Sequence, residues 1–192
     1  MALSPIMRDF LVRFQRTAIR ETGRRPICLL RTPMEEDMLL PGCSRAGYSC
    51  WQPIAWPDGA PLGEKAGAFH DSILSYLSLC QFLEIRFRLP IAGPNGALGF
   101  LYERTFELYR NTHLSPPSRA LEEAYLYQRE HPAQPLAYCM AATCDAGEPI
   151  LIMLRAEDGE VFVQRASGGE PLYFKLGLDR LLPKLQLIYD DF

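Results

Sequence analysis

Apolar side chains recur three or four residues apart at Ile6, Met7, Phe10, Leu11, Phe14 and Ala18. This spacing gathers them on one face of a helix running from Ser4-Pro5 to Thr22. Ser4 suits the N-cap, Pro5 loses no useful donor at the first helical position, and Gly23 suits the left-handed stop. Arg8, Arg13, Arg16 and Arg20 fall on the other side, which reads as a solvated face. A second helical stretch opens at Glu64 and carries Phe69, Ile73, Tyr76, Leu77, Cys80 and Leu83 in register. It gives way to strict apolar/basic alternation over Ile85-Arg86-Phe87-Arg88-Leu89, the mark of a half-buried strand. Pro94-Asn95-Gly96 supplies turn chemistry, and Leu98 to Tyr102 reads as the return strand of a hairpin. Residues 103–112 favour neither period.

After the break at Leu114 to Ser118, Leu121, Ala124, Tyr125 and Gln128 suit a helix that ends before Pro132. Leu136 to Thr143, Ile150 to Arg155 and Val161 to Arg165 are three strand candidates, and Glu157-Asp158-Gly159 is a tight hairpin signal between the last two. Leu178, Leu181, Leu182, Leu185 and Ile188 predict a final helix, with Pro183 tolerated if that helix begins near Asp179. Residues 31–63 are different: Pro33, Pro41, Gly42, Gly47, Pro53, Pro57, Gly59, Pro61 and Gly63 make them a long turn-rich segment, which is usually a binding element when it is ordered. Within it Tyr48 to Ile54 reads as a short strand stopped by Pro53. The order of elements predicts an α+β fold, a mostly antiparallel sheet with helices packed on it, as a single domain over residues 1–192.

Composition narrows the function. With 48% hydrophobic and 22% charged residues the chain is globular in character, and its formal net charge of −3 lacks the basic footprint of a bulk nucleic-acid or anionic-membrane binder. The basic residues other than Lys65, Lys175 and Lys184 are all arginine, scattered along the chain as a genomic signature would scatter them. No uncharged leader-like segment opens the chain, and no run approaches the roughly 18 to 20 apolar residues of a membrane span. A cytoplasmic location without membrane insertion is therefore expected. In that compartment Cys28, Cys43, Cys50, Cys80, Cys139 and Cys144 are expected as free thiols. Cys43/Cys50 and Cys139/Cys144 are spaced too widely for a zinc knuckle and have no histidine beside them, so no metal or other cofactor is expected.

The catalytic motifs are also missing. His70, His113 and His131 belong to no nucleophile-base pattern, and no phosphate loop, Gly-x-Ser-x-Gly elbow or His-Glu-x-x-His occurs. Glu35-Glu36-Asp37, Glu122-Glu123, Glu157-Asp158 and Asp190-Asp191 are runs of adjacent acids whose side chains diverge, unlike the converging carboxylates of a hydrolase. Some of them suit an acidic recess for a basic partner. Trp51 reads as core, while Trp56, flanked by Pro57-Asp58-Gly59, reads as a partly exposed interface anchor. The candidate partner contacts are Glu35, Glu36, Asp37, Trp56, Asp58, Glu122 and Glu123. The protein is expected to bind rather than catalyse.

The order of motifs resembles the Syd-like branch of the SUKH superfamily. The resemblance rests on the amphipathic first helix, the run Tyr48 to Pro53 with its Cys50-Trp51-Gln52-Pro53 end, the helix from Glu64 through Ile73 and Tyr76, the Gly159-Glu160-Val161 turn and the leucine-rich terminal segment. It implies one of two binding roles. Syd proper docks on the cytosolic face of the SecY translocon, peripheral to the inner membrane. Other superfamily members are immunity proteins that neutralise a cognate polymorphic or contact-delivered toxin. Syd proteins carry a Glu-Asn-Leu-Ile-Gly-His-like run where this chain reads Glu123-Ala124-Tyr125-Leu126-Tyr127-Gln128, and a Phe-Tyr pair where this chain keeps Tyr76 alone. These departures favour an immunity protein with a toxin as its partner, the translocon adaptor being the alternative.

Overall fold

The computed structural model describes residues 3–30, 35–89, 104–144 and 147–189. Helix α1 (Leu3–Thr22) buries the stripe Met7, Phe10, Leu11, Phe14 and Ala18, and it stops at Gly23, whose φ of 73° lets its N–H reach the Ile19 carbonyl at 3.0 Å. Of the four arginines expected in solvent, Arg13 is the exception. Its guanidinium donates to the Leu182 and Pro183 carbonyls at 2.8 and 2.7 Å, fastening α1 to the C-terminal segment.

The turn-rich stretch holds more structure than its composition suggests. Strands β1 (Ile27–Leu29), β2 (Leu39–Arg45) and β3 (Tyr48–Trp51) form a small antiparallel sheet in the order β1-β3-β2. Ala46 and Gly47, at φ 49° and 83°, make the β2–β3 turn, and two positive φ values in succession match the right-handed twist of a hairpin. Trp51 is fully buried, with its ring 5.8 Å from that of Phe14. The expectation of six free thiols is corrected here. The hairpin register that pairs Ser44 with Ser49 brings Cys43 and Cys50 opposite each other, and they are joined in a disulfide with Cα atoms 5.4 Å apart. Outside this disulfide, Cys28 and Cys80 are buried, Cys139 is half-buried and Cys144 is exposed.

The single helix expected from Glu64 is divided. A 3-10 segment (Glu64–Ala68) precedes α2 (Asp71–Ser78), and between them His70 turns extended and accepts the Ser72 amide on its Nδ1, capping α2. The chain after α2 is bridged to its neighbours, with Gln81 opposite Ile54 and Phe82 opposite Asn111.

Strands β4 (Arg86–Arg88), β5 (Phe106–Leu108), β6 (Ala137–Thr143), β7 (Ile150–Arg155), β8 (Val161–Arg165), β9 (Leu172–Tyr173) and β10 (Gln186–Ile188) build one antiparallel sheet ordered β10-β4-β5-β6-β7-β8-β9. The expected turn at Pro94-Asn95-Gly96 and return strand Leu98 to Tyr102 lie outside the described residues. The terminal segment differs from its helical expectation. It makes one turn of helix α4 (Leu178–Leu181), a 3-10 segment (Leu182–Lys184) holding Pro183, and then β10, which extends the sheet beside β4. Helix α3 (Pro117–Glu130) lies where the sequence expects it, with Pro117 in its first turn. The architecture is therefore α+β with helices and a mostly antiparallel sheet.

One face of the large sheet meets α1, α2 and α4. Phe87, Phe106, Leu108, Tyr138, Met140, Ile152, Leu154 and Val161 belong to this core. On β6 a bulge between Cys139 and Ala141 turns both Met140 and Ala141 inward, leaving Cys139 and Ala142 on the opposite face. Among the described residues, that second face is covered by α3.

Candidate functional site

The candidate contacts separate by environment. Glu35 is corrected from a surface contact to a buried one. Its carboxylate accepts the Thr112 hydroxyl at 3.0 Å and the Arg110 guanidinium at 3.4 Å, and Arg110 also reaches Glu84 at 3.3 Å. Glu84 in turn accepts the Leu29 amide at 3.1 Å. Glu35 thus clamps the segment before β2 to the segment Arg110–Thr112 that follows β5, because a buried carboxylate must be charge-paired and hydrogen-bonded to remain there. Glu36 and Asp37, on the 3-10 turn Glu36–Met38, are exposed. Trp56 is half-buried, and its indole N–H donates to the Leu77 carbonyl at 3.2 Å, so its polar edge is occupied within the protein. Asp58 is exposed beside Gly59.

Glu122 and Glu123 are exposed on α3 but point to different sides. Glu123 pairs with Arg119 at 2.9 Å, one helical turn back. Glu122 begins a stripe with Tyr125, Leu126 and Arg129, the i, i+3, i+4, i+7 spacing of one helix face, and all four are exposed. Tyr125 and Leu126 retain 39% and 40% exposure although they are large and apolar. The loop bearing Trp56 and Asp58 is tied to the same helix: the Ser118 amide donates to the Pro61 carbonyl at 2.8 Å, and Lys65 stands 4.9 Å above the Tyr125 ring. Glu35, next to Glu36 in the chain, is bonded to Thr112, which precedes the start of α3.

Between α3 and the outer face of β5–β8 lies a groove of about 740 Å³. Antiparallel register aligns Arg86, Glu107, Ala142, Leu151 and Gln164 across five neighbouring strands, and Cys139, Met153, Phe162 and Tyr173 in the adjacent row. Ala120, Ala124 and Tyr127 of α3 form the facing wall, and the paucity of large side chains at Ala120, Ala124 and Ala142 is what leaves the space. Tyr127 is braced by stacking on His131, with ring centres 4.3 Å apart.

Cys139 and Tyr109 are held in their neutral forms at the groove, beside the charged Glu107, Arg110, Arg119 and Glu123. Burial pushes the Cys139 thiol up to about 12, only partly opposed by hydrogen bonds to Tyr109 and the Ala141 carbonyl. Tyr109 borders the groove, nearly half exposed; desolvation first and the neighbouring Cys139 second raise its phenol above the ordinary value. Gln164 is 6% exposed, and its Nε2 has no hydrogen-bond partner among the described residues. No histidine lines the groove: His70 caps α2, the His113 backbone amide donates to Gln81 Oε1, and His131 braces Tyr127. Among the described residues no group of three or more His, Cys, Asp or Glu side chains is placed to hold a metal ion. No helix among them is long and apolar enough to cross a membrane.

Sequence reasoning missed Tyr109, Cys139 and Gln164. The only signal was the polar Gln164 two residues after Phe162, following three apolar residues of the strand, which marks a second face that is neither core nor fully solvated. Comparison with protein-family models finds no match, and comparison with curated proteins finds none either.

Proposed function

We propose that the protein is an immunity-type inhibitor, which binds a partner toxin in the cytosol of the producing cell and occludes its active site without chemistry of its own. The observation that carries this reading is the outward stripe of α3, where Tyr125 and Leu126 stay exposed side by side next to the carboxylate of Glu122. Aromatic and apolar anchors ringed by charge are the usual centre of a protein interface. Two further features support binding over catalysis. The thiol and phenol at the groove are held protonated at neutral pH, so neither serves as a nucleophile there. The acidic positions that remain exposed, Glu36, Asp37, Asp58 and Glu122, suit a basic target surface and steer its approach. An inhibitor that must act at low copy number needs nanomolar affinity, roughly −12 kcal/mol, over an interface of about 1,600 Å².

The test is co-expression with the product of the gene adjoining this one. Growth rescue of cells expressing that product, with a stoichiometric complex on purification, is the expected result. Glu122→Lys together with Leu126→Asp should abolish both. Rescue that survives this double variant would refute the placement on α3. Absence of any rescue, with binding to the cytosolic loops of the translocon instead, would return the protein to the adaptor role that the resemblance also allows.

A further inference from the structure

The outer side of α1 carries a charge that the rest of the molecule does not. The chain is net acidic, yet residues 1–25 hold six arginines against two acids, while residues 26–192 hold fourteen basic side chains against twenty-one acids. The inward stripe of α1 is committed to the core, so this positive charge is displayed outward. Pro5, Val12 and Ile19 stand seven residues apart, which at about 3.6 residues per turn sets them in one line along the outermost ridge. Val12 and Ile19 are each 44% exposed although they are large and apolar. The same rotation puts Arg8 on one flank of this line and Arg16 and Arg20 on the other, all three exposed. Among the described residues Arg8 and Arg16 form no ion pair, and Arg20 pairs with its chain neighbour Glu21 in open solvent. Lys184, exposed and next to the Pro183 whose carbonyl accepts Arg13, adds a further positive charge beside the helix.

This pattern selects among anionic occupants. A partner helix or groove grips anchors at i, i+3 or i+4 and i+7, and the positions between Val12 and Ile19 that would supply them, Gln15 and Arg16, are polar. A nucleic-acid backbone offers phosphates but no apolar layer for Val12 and Ile19. An anionic bilayer offers both, with lipid phosphates at the height of the guanidiniums and acyl chains beneath, and it requires no concavity in the protein.

We infer that the outer ridge of α1 is a docking surface for an anionic phospholipid bilayer, with Val12 and Ile19 entering the headgroup layer between Arg8 on one side and Arg16 and Arg20 on the other. The broad apolar face of α1 stays in the core, so docking is reversible and led by charge. The α3 stripe lies across the large sheet from α1 and remains free. The surface is independent of the inhibitor reading and stands or falls without it.

The test is flotation of the purified chain with protein-free vesicles, in which any retention is due to lipid alone. Phosphatidylcholine vesicles with about 30% phosphatidylglycerol should retain the protein at least about tenfold more than pure phosphatidylcholine, and raising salt from about 50 to about 500 mM should release it. Arg8→Glu with Arg16→Glu should reduce retention to the phosphatidylcholine level at an unchanged urea midpoint. Should reversal of charge perturb the helix, Arg8→Gln with Arg16→Gln should weaken binding about 25-fold, about fivefold for each charge. Val12→Ser with Ile19→Ser should weaken it about tenfold and leave the salt dependence intact. Leu126→Ser on α3 should change nothing. Equal retention on the two kinds of vesicle, retention indifferent to Arg8 and Arg16, or retention indifferent to Val12 and Ile19 would each overturn the proposal. Binding of duplex DNA or of polyglutamate through Arg8 and Arg16, without vesicle binding, would overturn it too and assign the ridge to a nucleic acid or to an acidic protein.

Discussion

Glu35 sits where a carboxylate is tolerated only through its partners. The Thr112 hydroxyl and the Arg110 guanidinium satisfy it, and Arg110 in turn balances Glu84. Truncation to Ala leaves Arg110 with one counter-charge and the Thr112 hydroxyl without its acceptor. Breaking a buried pair from one side typically costs about 3 kcal/mol. Glu35→Ala is therefore expected to lower the urea midpoint strongly, whereas Glu36→Ala, at an exposed neighbour, should shift it by less than about 0.5 kcal/mol. Adjacent acids in the sequence look equivalent; their difference arises because the partner of Glu35 lies 77 residues along the chain. Asp158 shows the opposite regime. Its hydrogen bond to Arg155, above all, holds its carboxyl at about 2, below the ordinary 3.8. A depressed carboxyl stabilises the fold above its unfolded pKa, and that contribution fades as pH falls from about 3.8 towards 2. The side chain is nearly half exposed, so solvent screening keeps the effect under about 1 kcal/mol. Acid titration of Asp158→Asn should accordingly show a slightly flatter loss of stability across this window than the native chain.

At the scale of elements, α1, α3 and the three strands β6 to β8 were legible because each carries its own period and its own stops. The terminal segment was not. Leu178, Leu181, Leu182, Leu185 and Ile188 fit helical spacing, but Pro183 interrupts it and the free edge of β4 supplies a competing set of backbone partners, so Leu185 onward extends instead. The hairpin β2–β3 was hidden for a different reason: Pro41 and Gly42 within β2 read as loop, and the strand is tolerated at a sheet edge where neither needs a full ladder of bonds. Its disulfide is a local staple. Closing a separation of 7 residues removes loop entropy worth about 2 kcal/mol from the unfolded chain. Reduction with dithiothreitol should lower stability by about that amount and make two further thiols alkylatable under denaturing conditions. In a reducing cytosol the hairpin would rest on the Ala46-Gly47 turn and the burial of Trp51.

For the whole molecule, the large sheet has two faces with different roles. One is covered by α1, α2 and α4, and among the described residues the other is covered by α3. Of the outward stripe only Glu122 was singled out in the sequence, and the groove was not readable there as a site. Glu107, Ala142, Leu151 and Gln164 come into line only through register across four strands, and the bulge at Cys139 and Ala141 decides which β6 residues join them. Helix α3 divides the two surfaces, since Ala120, Ala124 and Tyr127 face the groove while Glu122, Tyr125, Leu126 and Arg129 face away. That geometry makes their functions separable by substitution. Tyr125→Ala and Leu126→Ala remove exposed atoms, so each should change folding stability by less than about 0.5 kcal/mol while weakening partner binding by about 2 kcal/mol if these are interface anchors. Ala124→Phe should do the reverse, blocking the groove and sparing the partner.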